Sequence, residues 1–207
     1  IEDGTVLCKL IECGFQNMEY AALSYRWGNS PHAAMTTTEN YSDRLLAIPF
    51  LDIPKTIREA IYLCYGLNCR YIWIDALCII QPNPQTGDNL DWEAQSAVMG
   101  QIYANAMVSL AASSAIASSE GLFPSKGVFD TIPPPCLFPS GAGGGFVIEP
   151  EYPKWHQYID NAPLQARAWV LQEKLLSSRI LHCTQYGIFW QCVELRAHEC
   201  QPGDPYM

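Results

Sequence analysis

Residues Arg70-Tyr-Ile-Trp-Ile-Asp-Ala-Leu-Cys-Ile-Ile80 form a nearly continuous apolar run. Such a run is typical of a central strand in a parallel sheet, because helices cover both of its faces. Asp75 interrupts the run, and burying a carboxylate is costly unless it is hydrogen-bonded or lies beside a ligand at a strand end. A structural aspartate bonded to backbone N–H groups and a ligand-binding aspartate both remain open interpretations.

Strand and helix patterns alternate on either side of this run. Residues 19–25 and 107–112 have the composition of short strands. Residues 52–65 form an apolar pattern at helical spacing, with Asp52 as a candidate cap, and Asp91 begins another such pattern. The alternation predicts an α/β fold, a mainly parallel sheet flanked by helices on both faces.

The second half of the chain contains an irregular segment followed by a hairpin pattern. Residues 114–160 carry runs of proline and glycine and one short strand candidate at 146–149, which predicts a variable insertion. Residues 179–184 and 188–192 flank a short turn, which predicts a C-terminal β-hairpin. We expect residues 1–207 to form a single domain. Because they begin at Ile1, we also expect them to be a fragment of a longer protein.

The composition limits the classes of function. The 207 residues are 49% hydrophobic and 16% charged, which suits a globular domain with a sizeable core. A net charge of −9 argues against a nucleic acid partner, and an anionic ligand would have to be held by local groups. No apolar run reaches the length of a membrane helix. The nine cysteines, mostly with apolar neighbours, predict reduced thiols in a cytoplasmic protein.

Residues 163–176 are predicted to form one helix. Pro163 suits the first turn, and Asn161 is a candidate cap. Trp169 and Glu173 lie one turn apart and would share a face, where an indole and a carboxylate can stabilise a cationic ring and a developing positive charge. A half-buried Trp and a solvated Glu on an ordinary helix explain the pair as well. The predicted buried stripe consists of Leu164, Ala168, Leu171 and Leu175.

The first predicted strand ends in the turn Arg26-Trp-Gly28. Gly28 allows the backbone to approach a ligand closely, and Arg26 supplies a fixed charge with five donors. In open α/β sheets, ligands bind at the carboxyl ends of the strands. A plain turn with a surface arginine is the alternative interpretation.

Two other arrangements of reactive residues have weaker support in the sequence. Cys78 and His182 would form a nucleophile pair, but the sequence suggests no third residue to orient them. A zinc site would need ligands with irregular spacing, and so we predict no metal. Those ligands would be Cys183, Cys192, His198 and Cys200.

Three blocks together resemble the HET (heterokaryon incompatibility) domain of filamentous fungi. The resemblance implies a role in programmed cell death when genetically different cells fuse, or in related innate immune signalling. It also implies self-association and partner domains in the full-length protein. The blocks are Tyr20-Ala-Ala-Leu-Ser-Tyr-Arg-Trp-Gly28, Ile72-Trp-Ile-Asp-Ala-Leu-Cys-Ile-Ile-Gln81 with residues 91–104, and Arg167-Ala-Trp-Val-Leu-Gln-Glu173.

A more distant resemblance connects the chain to TIR domains, which have a flavodoxin-like fold with the same element order. Their first strand ends in a Ser-aromatic-Arg-Gly turn, similar to residues 24–28, where Trp27 is additional. Their catalytic helix carries a Trp-Cys-Leu-x-Glu-Leu pattern, similar to residues 169–175. In TIR enzymes that glutamate is required to break the bond between nicotinamide and ribose in NAD. The resemblance therefore implies Glu173 as the catalytic residue, with NAD as a substrate and no cofactor.

The resemblance also suggests how NAD would be held. Arg26 would bind the pyrophosphate, Asp75 would bond a ribose hydroxyl, and Trp169 would stack beside the ring, all in one cleft with Glu173. The alternative is a non-catalytic signalling module that acts by self-association, because a fold does not guarantee an activity. The substrate-binding candidates are Ser24, Tyr25, Arg26, Gly28, Asp75 and Trp169.

Overall fold

The computed structural model describes residues 6–14, 18–28, 34–82, 87, 89–123, 135–139 and 144–202. Within these residues, six strands form the main sheet, and two further strands form a separate antiparallel hairpin. The main-sheet strands are β1 (Tyr20–Ser24), β2 (Tyr71–Trp73), β3 (Val108–Ala112), β6 (Arg179–Thr184), β7 (Gly187–Cys192) and β8 (Arg196–His198). The hairpin strands are β4 (Cys136–Pro139) and β5 (Gly145–Ile148).

Five α-helical segments accompany the strands in the part of the chain that the structure describes. The longest is α4, and none of them is long and apolar enough to cross a membrane. The segments are α1 (Tyr41–Leu46), α2 (Lys55–Gly66), the single turn α3 (Asp75–Cys78), α4 (Leu90–Asn105) and α5 (Ala168–Leu176).

The main sheet has the order β2-β1-β3-β6-β7-β8. The pairings from β2 to β6 are parallel, whereas β7 and β8 are added antiparallel. This topology confirms the predicted α/β fold with a mainly parallel sheet, and it confirms the C-terminal hairpin formed by β6 and β7. The third antiparallel strand, β8, was not predicted.

Alternating side chains of β1 and β3 bury the two faces of the sheet against different helices. Leu23 and Leu110 share one cluster with α2 residues such as Ile57. On the other face, Ala22 packs with Tyr103 of α4, and Ala111 packs with residues of α5. Helices therefore cover both faces, as the alternation of strand and helix patterns predicts.

The prediction that residues 70–80 form a central strand is wrong. β2 spans only Tyr71–Trp73 and lies at the edge of the sheet, and the chain then turns into α3. Ile74, Leu77 and Ile79 are buried all the same, because the helical turn directs them into the core. An apolar run of this length is compatible with either geometry, since burial rather than extension explains its composition.

The predicted helix at residues 163–176 is divided. Pro163–Ala166 is a separate 3₁₀ turn, and α5 begins after Arg167, whose backbone is extended. This extended residue breaks the helical phase, so the buried stripe that begins at Leu164 does not continue into α5. Leu171 and Leu175 are instead 63% and 72% exposed. The buried residues of α5 are Val170 and Glu173.

Several smaller expectations also need correction. Asp52 lies in a 3₁₀ turn, and Pro54 rather than Asp52 precedes α2. The segment predicted to be irregular contains the β4–β5 hairpin and a π-helical turn at His156–Asp160. Residues 124–134 and 140–143 of the predicted insertion lie outside the described residues.

All nine cysteines lie among the described residues, and none of them forms a disulfide. Burial raises the pKa of Cys64 and of Cys183 to about 12. At neutral pH these two thiols are therefore protonated and unreactive, because the thiolate is the nucleophilic form. Cys13 and Cys136 are exposed.

Shortening a side chain on the buried face of α5 should lower stability more than shortening one on its exposed face. Val170→Ala removes two buried methyl groups and should lower the free energy of unfolding by about 2 kcal/mol. Leu175→Ala changes an exposed side chain and should alter it by no more than about 0.5 kcal/mol. Denaturant titration of both variants measures the difference. A larger loss for Leu175→Ala would show that its face of α5 is covered.

Candidate functional site

The carboxyl end of β1 is the topological switch point of the sheet. β1 pairs in parallel with β2 on one side and with β3 on the other, so the connections leave in opposite directions from this strand. Ligands of open α/β sheets bind in the crevice at such a point. Ser24 is the last residue of β1, and the predicted binding turn follows it directly.

Glu173 projects from α5 into a small pocket beside β1. Its side chain is buried, with the residue 6% exposed, and the pocket of about 10 Å³ has room for roughly one water molecule. Ser24, Ser109 and His182 line the same pocket. Neither Glu173 Oε2 nor Ser24 Oγ has a hydrogen-bond partner of regular geometry. A buried carboxylate oxygen without a partner costs stability, and such atoms often mark functional sites.

The surroundings of Glu173 favour its neutral form. Burial raises the pKa of Glu173, and the negative charge of Asp75 raises it further. The Ser24 hydroxyl, the Arg167 guanidinium and the Tyr103 phenol lower it in part. Two carboxyl groups with perturbed pKa values at a switch point are typical of catalytic sites.

Asp75 begins α3 directly beyond the end of β2. Its Oδ1 accepts a hydrogen bond from its neighbour Ala76 N at 2.7 Å, and its Oδ2 accepts one from Trp27 Nε1 at 3.0 Å. Burial raises the pKa of Asp75, and Arg167 lowers it. The residue thus combines structural hydrogen bonds with a position at the ligand-binding edge, and both interpretations from the sequence still apply.

Two tyrosines, Tyr103 and Tyr25, lie near the carboxyl groups of Glu173 and Asp75. Tyr103 OH, from α4, donates to Leu23 O at 3.0 Å. Burial, followed by the charges of Glu173 and Asp75, raises the pKa of Tyr103 well above its ordinary value. Burial and the charge of Asp75 also raise the pKa of Tyr25. Both phenols therefore stay protonated at neutral pH and can act only as hydrogen-bond donors or neutral acceptors toward the carboxylates.

Two arginines connect the end of β1 to the segment before α5. Arg26 Nη1 donates to Pro163 O at 3.2 Å, and Arg167 Nη1 donates to Tyr25 O. Each arginine therefore donates to a backbone carbonyl of the segment that contains the other arginine. We call this pair of contacts the arginine clamp, and it joins the two predicted binding segments.

The structure brings together four of the predicted site residues, namely Ser24, Tyr25, Asp75 and Glu173. The other three have different surroundings. Trp169 is 47% exposed, and the Arg26 guanidinium is engaged with Pro163 O. Gly28 has a φ of 87°, and a Cβ on it would lie 2.8 Å from Ala117 Cβ, so its close approach is to the chain itself.

Sequence reasoning did not identify Arg167, Trp27 and Tyr103 as members of the site. Arg167 and Trp27 stand inside the blocks that carry the HET resemblance, so their positions within those blocks were an available signal. Tyr103 also stands inside a block, within residues 91–104, but it follows the helical pattern of α4 as an ordinary core residue would. Only the packing of α4 against β1 places its hydroxyl near Glu173.

The alternative reactive groups have their own partners in the structure. Cys78 Sγ accepts a hydrogen bond from Ile74 N, and burial raises the pKa of Cys78 to about 11. His182 Nδ1 lies 3.1 Å from Ser113 Oγ, and burial lowers the pKa of His182 to about 4. Among the described residues, no group of three or more His, Cys, Asp or Glu side chains could hold a metal ion.

Replacing Glu173 with glutamine should stabilise the domain at alkaline pH. The folded-state pKa is raised, so Glu173 favours folding fully below its unfolded pKa and loses that contribution as pH rises through the folded pKa. At pH 8, Glu173→Gln should raise the free energy of unfolding by about 1 kcal/mol or more, and below pH 4 the difference should disappear. Denaturant titrations at both pH values test this. A variant less stable than the wild type at pH 8 would contradict it.

Comparison with known proteins gives one match. The family model "Heterokaryon incompatibility protein (HET)" matches residues 20–173, from the first residue of β1 to Glu173. No curated protein and no solved structure matches the chain. The matched region covers well over half of the 207 residues and includes all three sequence blocks quoted above. The chain therefore belongs to the heterokaryon incompatibility family, which implies a role in fungal incompatibility and cell death.

Proposed function

We propose that this HET domain hydrolyses NAD at the bond between nicotinamide and ribose. The observation that carries the proposal is Glu173, a buried carboxylate with an unpartnered oxygen beside the switch point of a mainly parallel sheet. The resemblance of residues 24–28 and 169–175 to the TIR segments supports the same assignment. The depletion of NAD would link the reaction to the cell-death role of the family.

The chemistry of the bond suits a carboxylate. Nicotinamide leaves as a neutral base, and the ribose passes through an oxocarbenium-like state with positive charge at its anomeric carbon. An ionised Glu173 stabilises that charge strongly, because the site is buried and the interaction is poorly screened. Asp75 lies close enough to Glu173 to add negative potential at the site or to accept a hydrogen bond from a ribose hydroxyl.

The remaining candidates would bind the rest of NAD. Arg26 would exchange Pro163 O for the pyrophosphate, since a charge-assisted hydrogen bond is stronger than one to a neutral carbonyl. This local cation is needed because the chain has a net charge of −9. Trp169 remains accessible for stacking on a flat ring.

Binding of NAD would require the pocket to open. Its volume of about 10 Å³ cannot admit a nucleotide. Movement of residues 163–167 away from β1 would break the arginine clamp and expose Glu173 and Ser24 together. Many enzymes open and close over their substrates in this way.

A second candidate function is a non-catalytic module that signals by self-association. The observation that favours it is the exposed apolar face of α5, where Leu171 and Leu175 point away from the sheet. The β4–β5 hairpin also exposes large apolar side chains. Apolar surface of this kind is typical of contact sites between proteins.

Glu173→Gln should abolish NAD consumption without unfolding the domain. Loss of the charge should remove about 3 kcal/mol of transition-state stabilisation, or a rate decrease of about a hundredfold or more. Chromatography of nicotinamide released by the purified domain, alone and with its partner region, measures the rate. Glu19→Gln is a matched control, because Glu19 is exposed and lies at the opposite end of β1.

Two outcomes separate the hypotheses. If the wild type consumes NAD and Glu173→Gln does so equally well, the residue assignment is wrong although the activity stands. If the assembled wild type consumes no NAD and still kills cells, the enzyme proposal is wrong. In that case Leu175→Asp should prevent both self-association and killing, because it places a charge on the exposed face of α5.

A further inference from the structure

Helix α5 is fixed to the sheet at both ends. At its start, where the structure shows no side-chain cap, Arg167 donates to Tyr25 O at the end of β1. At its end, Ser177 Oγ donates to Glu173 O at 2.6 Å, and it lies 2.6 Å from Ser109 Oγ of β3. Glu173 lies between these two attachments, so its position depends on both.

The attachment at the start of α5 is made by a charged side chain, that of Arg167. Arg167 is partly buried, and its positive charge lowers the pKa of Glu173 and of Asp75, although burial raises both. Arg167 therefore connects the two carboxyl groups of the site electrostatically. Lys174, the neighbour of Glu173 in sequence, pairs with Asp160 Oδ1 at 3.1 Å instead.

The other groups around Glu173 cannot replace this charge. Burial lowers the pKa of His182 to about 4, so this pocket-lining histidine is neutral at pH 7. Asp75 carries the opposite sign, and Ser24 and Tyr103 are neutral donors. The titratable, polar and charged groups around Glu173 are Ser24 of β1, Asp75 of α3, Tyr103 of α4, Ser109 of β3, His182 of β6, Gln165 and Arg167 before α5, Lys174 of α5 and Ser177 after it.

We propose that Arg167 is the positioning residue of the Glu173 site. It fixes the start of α5 against β1 through Tyr25 O and supplies a positive charge that favours the carboxylate form of Glu173. It acts through Glu173 rather than on the reacting atoms. Its effect on turnover rests on the proposed NAD hydrolysis, whereas its effect on the ionisation of Glu173 does not.

The test is a carboxyl NMR titration of Glu173 in the domain labelled with ¹³C-glutamate, assigned with Glu173→Gln. In Arg167→Gln, the pKa of Glu173 should rise clearly above the wild-type value, because a positive charge that lowers it is lost. Lys174→Gln removes the same charge one residue from Glu173, and it should leave that pKa within experimental error. A wild-type pKa in Arg167→Gln, or equal rises in both variants, would overturn the proposal.

The pH profile of NAD consumption provides a second readout. The acid limb of the profile should move to higher pH in Arg167→Gln, so that the rate falls by about tenfold or more at pH 6 and by less at pH 8. A purely structural role would lower the rate by the same factor at every pH. If the wild type consumes no NAD, the proposed function fails, and the NMR titration still decides the role of Arg167.

If Arg167→Gln does not fold, Arg167→Lys tests the positioning role of Arg167 instead. Lysine keeps the positive charge but replaces the planar guanidinium that bonds Tyr25 O. The pKa of Glu173 should therefore stay close to the wild-type value, whereas the maximal rate should fall because α5 is held less firmly. A large rise of the Glu173 pKa in Arg167→Lys would contradict the proposal.

Discussion

The parallel pairing of β1 with both β2 and β3 is the constraint on which the site depends. It makes β1 the strand from which the chain connections diverge, so that Ser24 opens onto the crevice between the flanking elements. The same pairing brings Asp75, at the end of β2, next to the turn after β1. Segments far apart in the chain thus contribute to one small volume, and α5 closes it.

Closing that volume with a glutamate has a physical cost. Glu173 is as buried as a core residue, yet it is a carboxylate with an unpartnered oxygen. A leucine at this position would pack without a desolvation penalty. Arg167, Ser24 and Tyr103 offset part of the penalty, and burial still keeps the pKa of Glu173 raised. An arrangement that is costly for folding and rich in convergent polar groups is better explained by function than by packing.

The sequence predicts the sheet better than it predicts the helices. Strands β1, β3, β6 and β7 could be predicted, because each is a short apolar run bounded by residues that favour turns. The run at residues 70–80 does not reveal where the strand ends, since burial in a strand and in the turn α3 demands the same apolar residues. For α5, the extended Arg167 changes the helical phase, and a periodicity count through it assigns the wrong face. Among the site residues, Glu173, Ser24 and Tyr103 all stand in sequence blocks, but only the packing of α4 shows that the Tyr103 hydroxyl reaches the site.

A crystal structure of the domain with a non-hydrolysable NAD analogue would show whether Glu173 is the residue that acts on NAD. We expect residues 163–167 to move away from β1 and Arg26 to bind the pyrophosphate. The anomeric carbon of the nicotinamide ribose should lie within about 4 Å of the Glu173 carboxylate, the distance expected of a reactive geometry. An analogue bound away from the carboxyl end of β1, with Glu173 still enclosed beside Ser24, would contradict these expectations.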